Sequence, residues 1–164
     1  MTEYLELDDL LAAANAAVDG RAEVRDVGLL QAAAARPQAT AFGEEAYPNL
    51  DAKAAALLQS IVSGHPLVDG NKRFGWVTVR LFYLMNGLDI HPPADEAFAL
   101  IVAIAGGELR DVSAIAEILA RWAPSSPVIS PSARRTEPLR PQEYQRPARQ
   151  RSRRRPSGAR DHRS

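Results

Sequence analysis

The feature that most constrains the fold of this chain is an almost wholly apolar run, Phe74–Met85, which directly follows a polar nine-residue stretch, His65–Arg73. Read as a helix over residues 71–85, the run places apolar side chains nearly all round the helix axis, and Asn86-Gly87 ends it. A helix of this kind is stable when other helices surround it. The pattern therefore predicts a central apolar helix whose first turn emerges from a polar loop.

Five other segments carry apolar residues at helical spacing. They cover residues 5–18, 27–35, 50–63, 93–105 and 112–122. Asp26 is expected to cap the second helix of the chain, and Asn49 or Asp51 the third. Gly64 is expected to take the left-handed conformation in which helices often end. No alternating run is long enough for a sheet, so the sequence predicts an all-α bundle of about six helices around the central one.

The segment between the second and third helices, residues 36–49, has no periodicity and holds Phe42 and Tyr47 as isolated aromatic residues. A flexible loop has little use for two aromatic side chains, so we expect an ordered loop. Ordered loops on a rigid scaffold often carry function. The alternative is a connector whose aromatic side chains fill the edge of the core.

Charge and composition divide the chain near residue 124. Residues 1–124 carry 17 acidic and 9 basic residues, whereas residues 125–164 carry 3 acidic residues and 11 arginines. The second segment is rich in proline and poor in aliphatic residues, so it buries too little apolar surface to offset its ordering entropy. We therefore predict a folded domain over 1–124 and a disordered tail over 125–164. The tail arginines favour weak, salt-dependent contact with nucleic acid; an extension without that role is the alternative.

The chain has no cysteine, which excludes a disulfide scaffold, thiol catalysis and a thiolate metal site. Its N-terminal residues are acidic and polar and do not resemble a signal peptide. The longest apolar stretch is too short to span a bilayer and contains Thr78 and Arg80. We therefore expect a cytoplasmic protein with no membrane partner.

The polar stretch before the central helix contains two residues suited to acid–base and metal chemistry. His65 has an imidazole, the side chain that most often takes up a proton near neutral pH. Asp69 is a hard oxygen ligand, and Mg²⁺ commonly binds one or two protein carboxylates together with substrate phosphates. We therefore predict His65 and Asp69 as catalytic residues, with Asp69 also the metal ligand.

The next four residues are suited to holding phosphate at the start of a helix. Gly70 lets the backbone approach a ligand closely, and Asn71 is able to cap the helix and hold the loop. Lys72 and Arg73 neutralise phosphate oxygens, and their charge opposes the helix dipole until an anion binds. With a base and a metal-binding carboxylate, this cradle favours transfer of a phosphoryl or nucleotidyl group to a hydroxyl. Taken singly, each residue also fits an ordinary cap, turn or solvated pair.

The nine residues His65–Arg73 resemble the signature of the Fic/Doc superfamily, whose usual form is H-x-F-x-D/E-G/A-N-K/G-R. The resemblance extends to Arg25–Leu30, the Arg36–Gln38 corner and Tyr47-Pro48, and it covers roughly residues 5–122. The chain is most similar to the Doc (death-on-curing) branch, which comprises small all-α toxins of Phd–Doc type toxin–antitoxin modules.

Two positions separate the branches of the superfamily. Fic proteins that transfer AMP resemble G-N-G-R-x-x-R, whereas here Lys72 replaces the second glycine and Trp76 the second arginine. Lys72 is the Doc form, and the resemblance implies that the γ-phosphate of ATP faces the acceptor. It further implies a kinase that phosphorylates a threonine of elongation factor Tu and arrests translation. His65 would be the general base, Asp69 the Mg²⁺ ligand and residues 70–73 the nucleotide-binding residues.

The resemblance also implies a Phd-like antitoxin whose C-terminal helix lies in a groove of the domain. The negative charge of residues 1–124 favours basic residues in that partner segment. The acceptor residue, the antitoxin and the oligomeric state do not follow from the sequence.

The chain departs from the family pattern beside the signature. Leu67 stands where phenylalanine usually anchors the loop, and Phe74-Gly75 replaces the more usual Thr-Ala. A glycine inside a helix costs up to about 1 kcal/mol relative to alanine. Two alternatives therefore stay open, an AMP-transferase of the same fold and a binding protein of the same fold without catalysis.

Overall fold

The computed structural model of the protein describes residues 1–124. The predictions for residues 125–164, a disordered tail in weak contact with nucleic acid, lie outside the described residues. Six α-helices make up most of this part of the chain: α1 (Leu7–Ala17), α2 (Val27–Ala35), α3 (Leu50–Gly64), α4 (Asn71–Met85), α5 (Ala94–Ala105) and α6 (Val112–Trp122). The all-α prediction is confirmed, and the helix ends lie where they were predicted or one to two residues away. No helix in this range is long and apolar enough to cross a membrane.

Side-chain caps mark the starts of α2 and α3. Asp26 accepts a hydrogen bond from the Gly28 N–H at 2.8 Å, and Asn49 accepts one from the Ala52 N–H at 2.8 Å. Both bonds pair N–H groups that lack a partner inside the helix. Asn49, rather than Asp51, is therefore the cap of α3.

The segment predicted as an ordered loop contains two short regular elements. A 3-10 helix spans Arg36–Gln38, and a two-stranded antiparallel hairpin follows it. Its strands are β1 (Thr40–Ala41) and β2 (Glu44–Glu45). Two residues per strand are too few to give an alternating pattern, which is why the sequence did not predict the hairpin.

The two aromatic residues of this segment have different environments. Phe42, between the strands, is fully exposed, so filling of the core edge applies only to Tyr47. The Tyr47 hydroxyl accepts a hydrogen bond from Arg36 Nε at 3.0 Å, and its carbonyl accepts one from Lys53 Nζ at 2.6 Å. Lys53 is buried and pairs with Glu45 at 3.1 Å. These contacts attach the hairpin to α3.

The core is built around α3, which contacts α2, α4, α5, α6 and the 3-10 helix. The apolar side chains that recur at helical spacing along α3 are buried: Ala54, Leu57, Leu58, Ile61 and Val62. The helix predicted to be central, α4, packs on α1, α3 and α5. The centre of the bundle is therefore shared by α3 and α4.

The apolar residues of α4 serve two different surfaces. Phe74, Phe82 and Tyr83 are buried in the core. Trp76 and Val77 are only half-buried and line a groove on the surface of the domain. The apolar pattern all round α4 therefore comes from the core on one side and a groove on the other.

Gly75 lies where α4 approaches α3 closely. A Cβ atom at this position would lie 2.5 Å from Val62 Cγ2 and 3.2 Å from Leu58 Cδ1. Its neighbour Phe74 is fully buried. The Phe74-Gly75 pair, a departure from the family pattern, thus fits the packing of α4 against α3.

Candidate active site

The loop between α3 and α4 is bounded by two residues with left-handed backbone conformations. His65 has φ 51° and ψ 59°, and Gly70 has φ 84° and ψ 11°. The prediction that Gly64 is left-handed is wrong by one position, since Gly64 is the last residue of α3. A left-handed conformation costs a non-glycine residue roughly 1–2 kcal/mol. Contacts around His65 must therefore stabilise it.

Gly70 is required both by its backbone conformation and by a close side-chain neighbour. Its positive φ is readily adopted only by glycine, and a Cβ atom would lie 2.8 Å from Val18 Cγ1 at the end of α1. From the sequence, the reason predicted for a glycine here is the close approach of a ligand. The structure adds a second reason, the close approach of α1 to the start of α4.

Asn71 holds the loop rather than capping α4. It is the first residue of the helix, and Gly70 occupies the cap position. The Asn71 Oδ1 accepts a hydrogen bond from the Leu67 N–H, and its Nδ2 donates to the Leu67 carbonyl, both at 2.9 Å. The Leu67 side chain is buried in the core. Leucine therefore anchors the loop here in place of the usual phenylalanine.

A second segment, residues 23–26, runs alongside the loop. The Arg25 N–H donates to the Pro66 carbonyl at 2.8 Å, and the Val68 N–H donates to the Glu23 carbonyl at 2.9 Å. No local sequence pattern indicates that this segment contacts the site, because the residues that it contacts lie about 40 positions further along the chain. The loop is thus held by the core below and by residues 23–26 at its side.

The imidazole of His65 is exposed, and its Nδ1 lies 3.0 Å from the Ser63 carbonyl oxygen. A carbonyl oxygen only accepts hydrogen bonds, so in the neutral ring Nδ1 carries the proton and Nε2 is the acceptor. Arg25 contacts the backbone of the same turn: its Nε donates to the His65 carbonyl at 2.8 Å. His65 therefore has the tautomer that a general base acting through Nε2 requires.

Asp69, Lys72 and Arg73 are exposed at the start of α4. Asp69 Oδ1 accepts a hydrogen bond from the Gly70 N–H at 2.7 Å, which fixes the carboxylate beside the helix start. Lys72 and Arg73 take part in none of the ion pairs formed within residues 1–124. Two cations thus lie in the first turn of α4, where the helix dipole favours an anion.

All six residues predicted from the sequence line one groove, whose volume is about 1040 Å³. They are His65, Asp69, Gly70, Asn71, Lys72 and Arg73. The rest of the groove is largely apolar, with Val77 on α4 and Ile90, Ala97, Phe98 and Ile101 on and before α5. The structure therefore brings an imidazole, a carboxylate and a helix start with two cations together at an apolar cleft.

Three further charged or titratable residues that were not predicted line this groove: Asp19, Arg80 and His91. Arg80 Nη2 is 3.1 Å from Asp89 Oδ1, and His91 Nε2 is 2.9 Å from Asp89 Oδ2. Arg80 and His91 line the groove. A sequence signal exists for Arg80, because Lys72, Trp76 and Arg80 follow one another at four-residue intervals and so share a helix face.

The sequence comparisons agree with this architecture. The profile of the Fic/DOC family matches residues 4–83, a span that contains α1 to α3, the loop and most of α4. A protein of Mycolicibacterium smegmatis named Toxin Doc is 54% identical over 90 residues, which make up 55% of this chain and 69% of that protein. The chain belongs to the Fic/Doc family and, within it, to the Doc branch.

Proposed function

We propose that this chain is the toxin of a toxin–antitoxin pair and acts as a protein kinase. It would transfer the γ-phosphate of ATP to a threonine hydroxyl of elongation factor Tu and thereby inhibit translation. The observation that carries the proposal is the convergence of His65, Asp69 and the first turn of α4 on one groove. The similarity to a protein named Toxin Doc supports the toxin role.

In the proposed reaction His65 is the general base. Its Nε2 takes the proton of the threonine hydroxyl, since Nδ1 is held on the Ser63 carbonyl. The hydroxyl oxygen bonds to the γ-phosphorus while the bond from that phosphorus to the β–γ bridging oxygen breaks, and ADP leaves. Lys72, Arg73 and the N–H groups of the first helical turn bind the phosphate oxygens.

Asp69 is proposed as the protein ligand of Mg²⁺. Within residues 1–124 no three His, Asp or Glu side chains gather into a metal cage. A single exposed carboxylate beside a phosphate-binding helix start suits Mg²⁺, which keeps several waters and shares its coordination with substrate phosphates. When bound, Mg²⁺ neutralises charge on the transferring phosphate.

Lys72 and Trp76 favour γ-phosphate transfer over AMP transfer. Lys72 stands where the AMP-transferring pattern has its second glycine. Trp76 stands where that pattern has its second arginine, and its ring packs edge-on against Trp122 with centroids 6.4 Å apart. The groove thus has an apolar, fixed side chain at the position where the AMP-transferring pattern has a cation.

An antitoxin segment is proposed to occupy the apolar part of the groove. From the net negative charge of residues 1–124 alone, the expectation is that this antitoxin segment carries basic residues. The groove itself differs from the rest of the domain, because Lys72, Arg73 and Arg80 line it together with Asp19 and Asp69. Inside the groove we therefore expect apolar residues of the antitoxin with acidic residues near these cations.

The test is to incubate the protein with elongation factor Tu, Mg²⁺ and ATP labelled at the α- or the γ-phosphate. The proposal predicts that γ label appears on a threonine of elongation factor Tu and that His65→Ala abolishes its transfer. Transfer of α label would instead identify an AMP-transferase. If the unchanged protein transfers neither label above the level of His65→Ala, the remaining alternative is a binding protein of the same fold without catalysis.

A further inference from the structure

We propose that Arg25 is a positioning residue for His65, an inference that rests on the proposed role of His65 as general base. Arg25 Nε donates to the His65 carbonyl at 2.8 Å, and its Nη2 donates to the Gly64 carbonyl at 2.9 Å. The Arg25 N–H donates to the Pro66 carbonyl at 2.8 Å. One residue thus binds three consecutive carbonyl groups centred on the proposed base.

These carbonyls need partners from outside α3. The last carbonyl groups of a helix have no N–H partner within it, and Pro66 cannot continue the helix. A cation at this end also interacts favourably with the helix dipole. The guanidinium of Arg25 meets both needs, because its fixed fork presents two N–H groups to neighbouring carbonyls.

The same contacts fix the direction of the imidazole. His65 has a left-handed backbone conformation, which residues other than glycine adopt only where their surroundings impose it. Within residues 1–124 the ring itself makes one hydrogen bond, from Nδ1 to the Ser63 carbonyl. The position of Nε2 therefore depends on the backbone turn that Arg25 holds. Arg25 does not line the groove, so it acts through His65 and not on the substrate.

The test compares Arg25→Ala and Arg25→Lys with Arg110→Ala. Arg110 is a matched control, because its Nε also donates to a backbone carbonyl just after a helix, that of Gly107 at 2.9 Å, and it lies outside the groove. Three quantities are measured: kcat for γ-phosphate transfer, the Kd for ATP, and the protonation of the His65 ring nitrogens by long-range ¹H–¹⁵N NMR.

We expect Arg25→Ala to lower kcat by about 100-fold, the loss that a displacement of about 1 Å causes at a reacting group. The Kd for ATP should change little, since Lys72 and Arg73 keep their places on α4. Arg25→Lys should be intermediate, because an ammonium cannot reach both carbonyls with a fixed fork. Arg110→Ala should retain the kcat of the unchanged protein.

The NMR measurement tests the inference even if no phosphate transfer is found. The unchanged protein and Arg110→Ala should show His65 protonated at Nδ1, whereas Arg25→Ala should show a mixture of both tautomers. The inference is overturned if Arg25→Ala keeps the Nδ1 tautomer or the original kcat. It is also overturned if kcat and ATP binding fall together, because that pattern indicates loss of the folded domain.

Discussion

Two residues at the ends of the loop between α3 and α4 have roles other than those expected from their residue types. Asn71 holds the Leu67 backbone in place of capping the helix. His65, and not the preceding glycine, takes the left-handed conformation. Both results come from contacts across the loop, because the side chain of Asn71 and the segment around Arg25 pair the loop's backbone groups. Residue type alone predicted which groups are present, and the contacts determine what each one holds.

Another single residue makes stability depend on pH. The Tyr83 hydroxyl is buried and donates to Asp51 Oδ1 at 2.6 Å. Burial, reinforced by the Asp51 carboxylate, raises the pKa of Tyr83 well above its ordinary value of 10.0. The folded protein therefore keeps this phenol neutral at a pH at which the unfolded chain has already ionised.

This difference predicts a loss of stability in alkali. Below pH 10 Tyr83 contributes fully to the stability of the folded protein. Above pH 10 the free energy of unfolding falls by about 1.4 kcal/mol per pH unit. The measurement is urea unfolding of the unchanged protein and of Tyr83→Phe between pH 8 and about 11.5. The remaining tyrosines titrate over this pH range in both proteins, so the difference between the two slopes reports on Tyr83. The variant should show a smaller slope, and an equal slope in both proteins would show that Tyr83 ionises normally when folded.

At the level of elements, the close approach of α3 and α4 places the loop between them. Gly75 permits that approach, since a Cβ atom there would meet Val62. The loop starts at the end of α3 and finishes at the start of α4, so the spacing of the two helices determines where His65 and Lys72 lie. The helix pair therefore links the core to the proposed site.

Gly75→Ala separates local propensity from packing. Helix propensity alone predicts stabilisation of up to about 1 kcal/mol. The packing predicts a net loss, because overfilling a tight core typically costs about 1–3 kcal/mol. Urea unfolding should show that Gly75→Ala lowers the free energy of unfolding.

A double variant supplies the control for this prediction. Val62→Ala removes the side chain that the new methyl group would meet, so Gly75→Ala should cost less in its presence. A stabilising effect of Gly75→Ala in the otherwise unchanged chain would contradict the close packing of α4 on α3.

At the scale of the molecule, the groove combines surfaces that lie far apart in the sequence. The end of α1, the loop, one face of α4 and the side of α5 form its walls. Cations lie at the start of α4 and at Arg80, whereas the described domain as a whole is acidic. The groove therefore differs from the rest of the domain in charge, as the proposed binding of a nucleotide and of an antitoxin segment with acidic residues requires.

The proposed function predicts that expression without an antitoxin arrests growth of a bacterial host. His65→Ala should remove the arrest, because the general base is lost while the fold is kept. The measurement is colony formation after induction, with protein levels checked by immunoblot. His91→Ala is the matched control, since it removes the other groove histidine and should still arrest growth. Arrest that survives His65→Ala would contradict a catalytic cause.

The sequence by itself determined the helices and placed the candidate site residues next to one another. Apolar residues at helical spacing require a buried face, and this local requirement predicted all six helices over residues 1–124 within two positions. The nine residues His65–Arg73 lie next to one another in the chain, so their convergence at one loop was also predictable. Their proposed chemistry depends on residue type, which the sequence states directly.

Tertiary structure alone decided how the site is held. The contacts of Arg25 with the His65 turn, of Val18 with Gly70 and of Val62 with Gly75 join segments distant in sequence. No local periodicity predicts such contacts, because they depend on which helices pack together and how closely. The left-handed His65 is one result of this packing, and the groove that contains it is another.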